Sequence, residues 1–144
     1  MENWKYYKNE HIDFFNSERA IAGLINALND FEEKWLEYIK NEYENYKKDK
    51  LNYVDISFIA RHVINLIKEK RNEELEVFFK TVEKIYEKCD SETSELMTIG
   101  LLESLQNNCY NENIDYHFEF NNWLGKITRK EWNNLIEFWE KDRN

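Results

Sequence analysis

The chain contains no proline, and its only glycines are Gly23, Gly100 and Gly125. Folds built from β-strands need many tight turns, and those turns draw heavily on both residue types. Their scarcity argues against an all-β fold, while the abundance of Glu, Lys and Leu favours helix. Cysteine is also scarce. Cys89 and Cys109 are the only two, and they lack CxxC spacing. In the helical hairpin outlined below, each falls at the C-terminal end of its helix. Antiparallel neighbours would hold them about 25 Å apart at ~1.5 Å per residue, whereas a disulfide needs Cα atoms within about 7 Å. Free thiols and a reducing cytoplasm are therefore expected. No apolar run approaches the roughly 20 residues that span a bilayer. The start, MENWKYYKNEHID, is polar and has no apolar core of a signal peptide. Neither a membrane partner nor a secretory leader is expected.

Motifs for chemistry are missing as well. His11, His62 and His117 stand in separate segments without HxxxH or Cys/His ligand spacing. The acidic residues lack EF-hand spacing. There is no phosphate-cradling glycine loop, and neither cysteine lies in a nucleophile motif. The expectation is a protein that is not an enzyme and carries no metal or cofactor.

The chain has 144 residues, 42% hydrophobic and 16% aromatic. That is enough for one domain, residues 1–144, with a real core, and it is not a disordered composition despite 34% charged residues. The net charge is -9 and the pI about 4.9. This argues against nucleic acid, which calls for a basic footprint, and suits a basic protein partner.

The segment Thr93–Cys109 is the least charged long stretch. Met97, Leu101, Leu102, Leu105 and Cys109 cover one arc of a helical wheel, with Leu96 and Ile99 on the other side. A helix apolar on more than one face is buried between neighbours, so this is the expected central helix, with Ile99, Leu102, Leu105 and Trp132 in one core. Before it, Trp4, Tyr6, Tyr7, Phe14 and Phe15 form an aromatic leader. Ser17 is placed as N-cap of a first helix whose seam, Ile21, Leu24, Leu28, Phe31, Trp35 and Tyr38, runs to about Tyr46 and closes on Lys47, Lys48 and Lys50. A break at Asn29 is the alternative. Asp55 is placed as cap of a second helix carrying Ile56, Ile59, Val63 and Ile67, and Asn72 as turn or N-cap residue of a third carrying Leu75, Phe78, Phe79, Val82 and Ile85. Asp90-Ser91 supplies cap oxygens, and the short link makes the third and central helices antiparallel neighbours. After a polar loop, Phe118 to Leu124 forms a helical turn with Gly125 as C-cap. Thr128 to Glu131 has the capping-box pattern that opens the last helix, with Trp132, Leu135, Ile136 and Trp139 on one face. The fold class is all-α: stacked antiparallel helical hairpins, bundle-like or HEAT-like, of about five to six helices.

Two polar features stand out. Glu103 and Gln106 make a polar strip on the apolar central helix. A buried carboxylate must find donors or become protonated, so Glu103 is expected to lock onto the turn before the last helix. The second feature is a gap in positive charge: no Lys or Arg occurs between Lys88 and Lys126. Glu92, Glu95, Glu112, Asp115 and Glu119 lie in that interval with Tyr116 and Trp123. Carboxylates steer a basic partner and aromatics anchor it, so these residues form the candidate partner-binding edge. The other reading of that edge is a solvated acidic surface.

TIGLLESLQNN, followed by FEFNNWLGKITRKEWNNLIEFW, resembles a family of small bacterial proteins of unknown function. The matching positions are Gly100, Leu101, Leu102, Glu103, Leu105, Gln106 and Asn107, then Phe120, Leu124, Gly125, Thr128, Arg129, Trp132, Leu135, Phe138 and Trp139. The likeness covers roughly residues 53 to 140. In size, acidity and helical character the chain is also similar to immunity proteins that neutralise bacterial toxins. That resemblance implies a cytoplasmic protein that occludes a cognate toxin, for instance a basic nuclease. A helical scaffold or adaptor with no toxin partner is the alternative.

Overall fold

A computed structural model describes residues 13–44 and 51–141. Trp4, Tyr6, Tyr7 and His11 of the leader, and Lys47, Lys48 and Lys50, lie outside them. The described residues form six helical rods: α1 (Ser17–Asn26), α2 (Glu32–Ile39) with a π turn (Lys40–Glu44), α3 (Asn52–Lys68), α4 (Asn72–Glu87), a continuous central rod, and α7 (Lys126–Lys141). The central rod comprises α5 (Ser91–Glu95), a π segment (Leu96–Leu102) and α6 (Glu103–Asn111). The protein is all-α. Its one strand-like feature among the described residues is an isolated bridge between Phe15 and Cys89. There the Phe15 amide donates to Lys88 O at 2.7 Å, which clips the buried Phe15 to the α4–α5 link.

Asn16, not Ser17, caps α1, accepting the Arg19 amide at 2.8 Å. Of the two readings of the first helix, the break at Asn29 is the one found: α1 stops at Asn26, α2 starts at Glu32, and between them Asp30 has φ 58°. Asp tolerates this left-handed conformation better than most residues. The apolar seam survives the break, because Leu28, Phe31 and Trp35 are all buried and the rings of Phe31, Trp35 and Tyr38 all pack against Phe58 of α3. Asp55 is not a cap. The helix starts earlier, at Asn52, and Asp55 is buried inside it, accepting a hydrogen bond from Tyr38 Oη at 2.9 Å. Asp90 does cap α5, accepting the Thr93 amide at 2.8 Å.

The central rod packs chiefly on α3, with α4 set against α1, α3 and α7, so the expected α4–central hairpin is not the main contact. Gly100 is the point of closest approach, since a Cβ there would stand 2.7 Å from Ile56 Cγ2. Within the π segment the i→i+5 bonding widens the turn and shifts side chains off the regular wheel. Ile99, expected in the core, is 45% exposed, while Leu96 is buried. Leu102, Leu105 and Trp132 share the core. α7 crosses α4 and the π segment. A relay ties the three together: Tyr86 Oη lies 2.7 Å from Thr98 Oγ1, which donates to Glu131 Oε1 at 3.2 Å.

Candidate interaction surface

The end of the molecule where α6, the following loop and α7 meet is fixed by three polar contacts. The first is at the N-terminus of α7. Glu83 of α4 reaches across and accepts the Ile127 amide at 3.0 Å, the Thr128 amide at 2.9 Å and the Thr128 hydroxyl at 2.8 Å. Burial pushes the Glu83 carboxyl up, but these donors outweigh it and hold the group below its ordinary range. The anion also sits favourably at a helix N-terminus. Gly125 is therefore not a C-cap. Its carbonyl accepts the Arg129 amide at 2.8 Å, its φ is not positive, and a Cβ there would meet Glu83 Cγ, Cδ and Oε1 at 2.6 Å. The expected Thr128–Glu131 capping box does not form, because Thr128 turns to Glu83 and Glu131 to Thr98.

The role expected of Glu103 thus belongs to Glu83. Glu103 is half-buried and makes no side-chain hydrogen bond among the described residues. Gln106, four per cent exposed, supplies the second contact: its Nε2 donates to Trp132 O at 3.1 Å, one turn beyond the expected Gly125–Arg129 target. Trp132 Nε1 in turn donates to Tyr116 O at 3.0 Å, and its ring packs on Phe120. The third contact ties the loop to the last turn of α7. Tyr116 Oη donates to Glu140 Oε2 at 2.8 Å, and His117 Nε2 lies 2.8 Å from the same oxygen.

The acidic residues do not form one edge. Glu92 and Glu95 are exposed on α5, and Glu112 follows the far end of α6, about 30 Å away along the rod at ~1.5 Å per residue. Glu112, Asp115 and Glu119 are exposed in the loop. Glu112 pairs with Lys68 at 3.2 Å, and Asp115 Oδ1 accepts the His117 amide at 3.0 Å. Tyr116 is half-buried. Trp123 is stacked on Phe79 at 6.2 Å and packed against the core, so it is less available as an anchor than the strongly exposed Phe118, Tyr110 and Phe138. Between α6 and α7 lies a groove of about 230 Å³, lined by Gln106, Tyr110, Tyr116, Ile136 and Trp139 among others.

Sequence reasoning missed Glu83, Glu140, Tyr110 and the outward face of Trp139. Glu83 carried no local signal, because its partners are 44 and 45 residues away. The glycine at 125 was the one hint of a close approach. Nothing here has the form of a metal centre: no cluster of potential ligands occurs among the described residues. The thiols are poor nucleophile candidates, since burial pushes Cys109 up to about 12 and Cys89 upward as well. Both are free. No helix among the described residues is long and apolar enough to cross a membrane.

The chain belongs to the family described as domain of unknown function DUF7674, whose model matches residues 21–140. The match therefore takes in the second half of α1 and all of α2, beyond the 53–140 span that the motifs suggested. No curated protein and no solved structure matches the chain.

Proposed function

We propose that this DUF7674 protein is an immunity-type inhibitor, which binds a basic toxin domain through the loop end of the molecule and blocks it by occlusion. One observation carries the reading. At that end the cation-free interval places Glu112, Asp115 and Glu119 beside the exposed rings of Tyr110 and Phe118. Carboxylates accelerate encounter with a basic surface, and exposed aromatics provide the burial that holds the complex. The shape of the contact is preset, because the loop is tied to α7 through Glu140 and to the core through Trp132.

The test is neutralisation of the loop. Glu112→Gln, Asp115→Asn and Glu119→Gln together keep the turn acceptor at 115 and alter only exposed groups, so stability should change by less than about 1 kcal/mol. Binding to the protein encoded beside this gene should weaken roughly tenfold or more, mainly through a slower on-rate, and lose much of its salt dependence. Cells carrying the variant should lose protection against that protein. A folded variant with full protection and unchanged salt dependence sinks the proposal. If no neighbouring product binds at all, the scaffold or adaptor reading takes its place.

A further inference from the structure

We infer that the outward face of the central rod around Ile99 docks a basic, amphipathic segment of a partner protein, on a surface separate from the loop end. The sides of the rod are assigned by its contacts. Thr98 turns toward α4 and α7, where its hydroxyl meets Tyr86 and Glu131. Gly100 turns toward α3, where an added Cβ would stand 2.7 Å from Ile56 Cγ2 and 3.3 Å from the ring of Tyr53. Ile99, between them in sequence, is left on the outward side and is exposed. A regular helical wheel places it in the core, and the π segment is what turns it out. Such segments occur frequently at functional sites. Tyr53, at the start of α3, is exposed as well, so the rod and α3 together present an apolar centre to solvent.

Carboxylates run along that centre. Glu95 and Glu103 stand one turn before and one turn after Ile99, with Glu92 one turn earlier still. Glu92 and Glu95 are exposed and Glu103 is half-buried. The Tyr53 phenol is pushed up by burial first and then by Glu95 and Glu92, so both carboxylates are within electrostatic reach of that ring. None of the three carboxylates forms an ion pair among the described residues, and the rod carries no Lys or Arg. The sign of the charge selects the occupant. A second copy of the chain would set like charges against each other, and nucleic acid or an anionic lipid surface would be repelled. A purely apolar partner would strip water from the carboxylates without supplying donors. A segment with Lys or Arg on either side of an apolar residue meets both demands, because its cations pair with the carboxylates while its apolar residue covers Ile99 and Tyr53. Ile99 lies about 20 Å along the rod from Glu112 at ~1.5 Å per residue, so this surface does not rest on the loop-end reading.

The test uses the full chain and three synthetic peptides: an amphipathic helix-former of Leu-Lys-Lys-Leu repeats, the same peptide with serine for every leucine, and the same peptide with glutamate for every lysine. The readouts are the methyl resonance of Ile99, assigned with Ile99→Val, and the ring resonances of Tyr53, assigned with Tyr53→Phe. The leucine-lysine peptide should shift both saturably. The serine peptide should bind about tenfold more weakly, and the glutamate peptide should not bind. Glu92→Gln, Glu95→Gln and Glu103→Gln together should weaken the leucine-lysine peptide about tenfold or more and remove most of the salt dependence. Ile99→Ser, at an exposed position, should weaken it several-fold. The loop variant with Glu112→Gln, Asp115→Asn and Glu119→Gln should keep the full response at Tyr53 and Ile99. Peptide binding that leaves both resonances unmoved, equal affinity for the leucine and serine peptides, or a rod triple variant that binds like the original protein would each overturn the inference. So would loss of the response in the loop variant, because the peptide would then be reporting the loop end.

Discussion

Glu83 caps a helix to which it does not belong. One carboxylate satisfies two of the free amides at the start of α7 and a hydroxyl besides. Replacing it with Ala should cost about 1–2 kcal/mol in chemical denaturation, the range for losing a good N-cap or leaving buried donors unsatisfied. Gly125→Ala should cost about 1 kcal/mol, because the added methyl would occupy the space of the Glu83 side chain. The two effects share one mechanism. When Glu83→Ala is already in place, Gly125→Ala should therefore cost about half as much or less, a non-additivity that a double-mutant cycle detects. Additive costs would mean the glycine serves something else. The sign with pH follows from the lowered carboxyl. Its stabilisation is full above the ordinary value of 4.5 and is lost as pH falls through the depressed folded value.

Helical content, the number of rods and most core positions could be read from spacing, because burial on one side of a helix leaves a 3.6-residue period whatever its partner is. The capping role of Asp90 was legible too, being local. The errors came where local signals compete with packing. A seam of threes and fours continues through Asn29-Asp30, and only the left-handed Asp30 shows that two helices share it. Asp55 has the composition of a cap but is drawn inside by Tyr38. At the candidate surface the cation-free loop was visible, whereas Glu83 and Glu140 were not, since each depends on contacts more than twenty residues distant. The π segment defeated the regular wheel at Ile99. It also explains the demand at Gly100, where the rod lies against α3. Gly100→Ala should lower stability by about 1–3 kcal/mol through overpacking against Ile56, although the same change in an open helix would be favourable. A neutral or stabilising Gly100→Ala, measured by thermal unfolding, would show that α3 and the rod can separate without penalty.

For the molecule as a whole, His62 should be a source of acid sensitivity. His62 stands against Phe31 at 4.4 Å between ring centroids, and both ring nitrogens are buried without a hydrogen-bond partner among the described residues. Burial, aided by Lys34 and Arg71 and opposed by Glu69, pushes it down to about 4; Arg61 and Glu112 line the same cleft. The unfolded chain therefore takes up this proton first as pH falls from about 6.5. Stability should drop between about pH 6.5 and 4, by roughly 1–2 kcal/mol after allowing for the residue's remaining solvent contact. His62→Leu should flatten the unfolding free energy across that window, and an unchanged slope would place the source elsewhere. The long-range clamp on α7 has a further consequence, in hydrogen exchange. The amides of Ile127 and Thr128 are held by a residue on another helix, so they can exchange with solvent when α7 swings away from α4 while the rest of the molecule stays closed. Those two amides thus act as a gauge of how often α7 detaches. Any molecule seated between α6 and α7 binds only the closed form, and must slow their exchange in proportion to its occupancy.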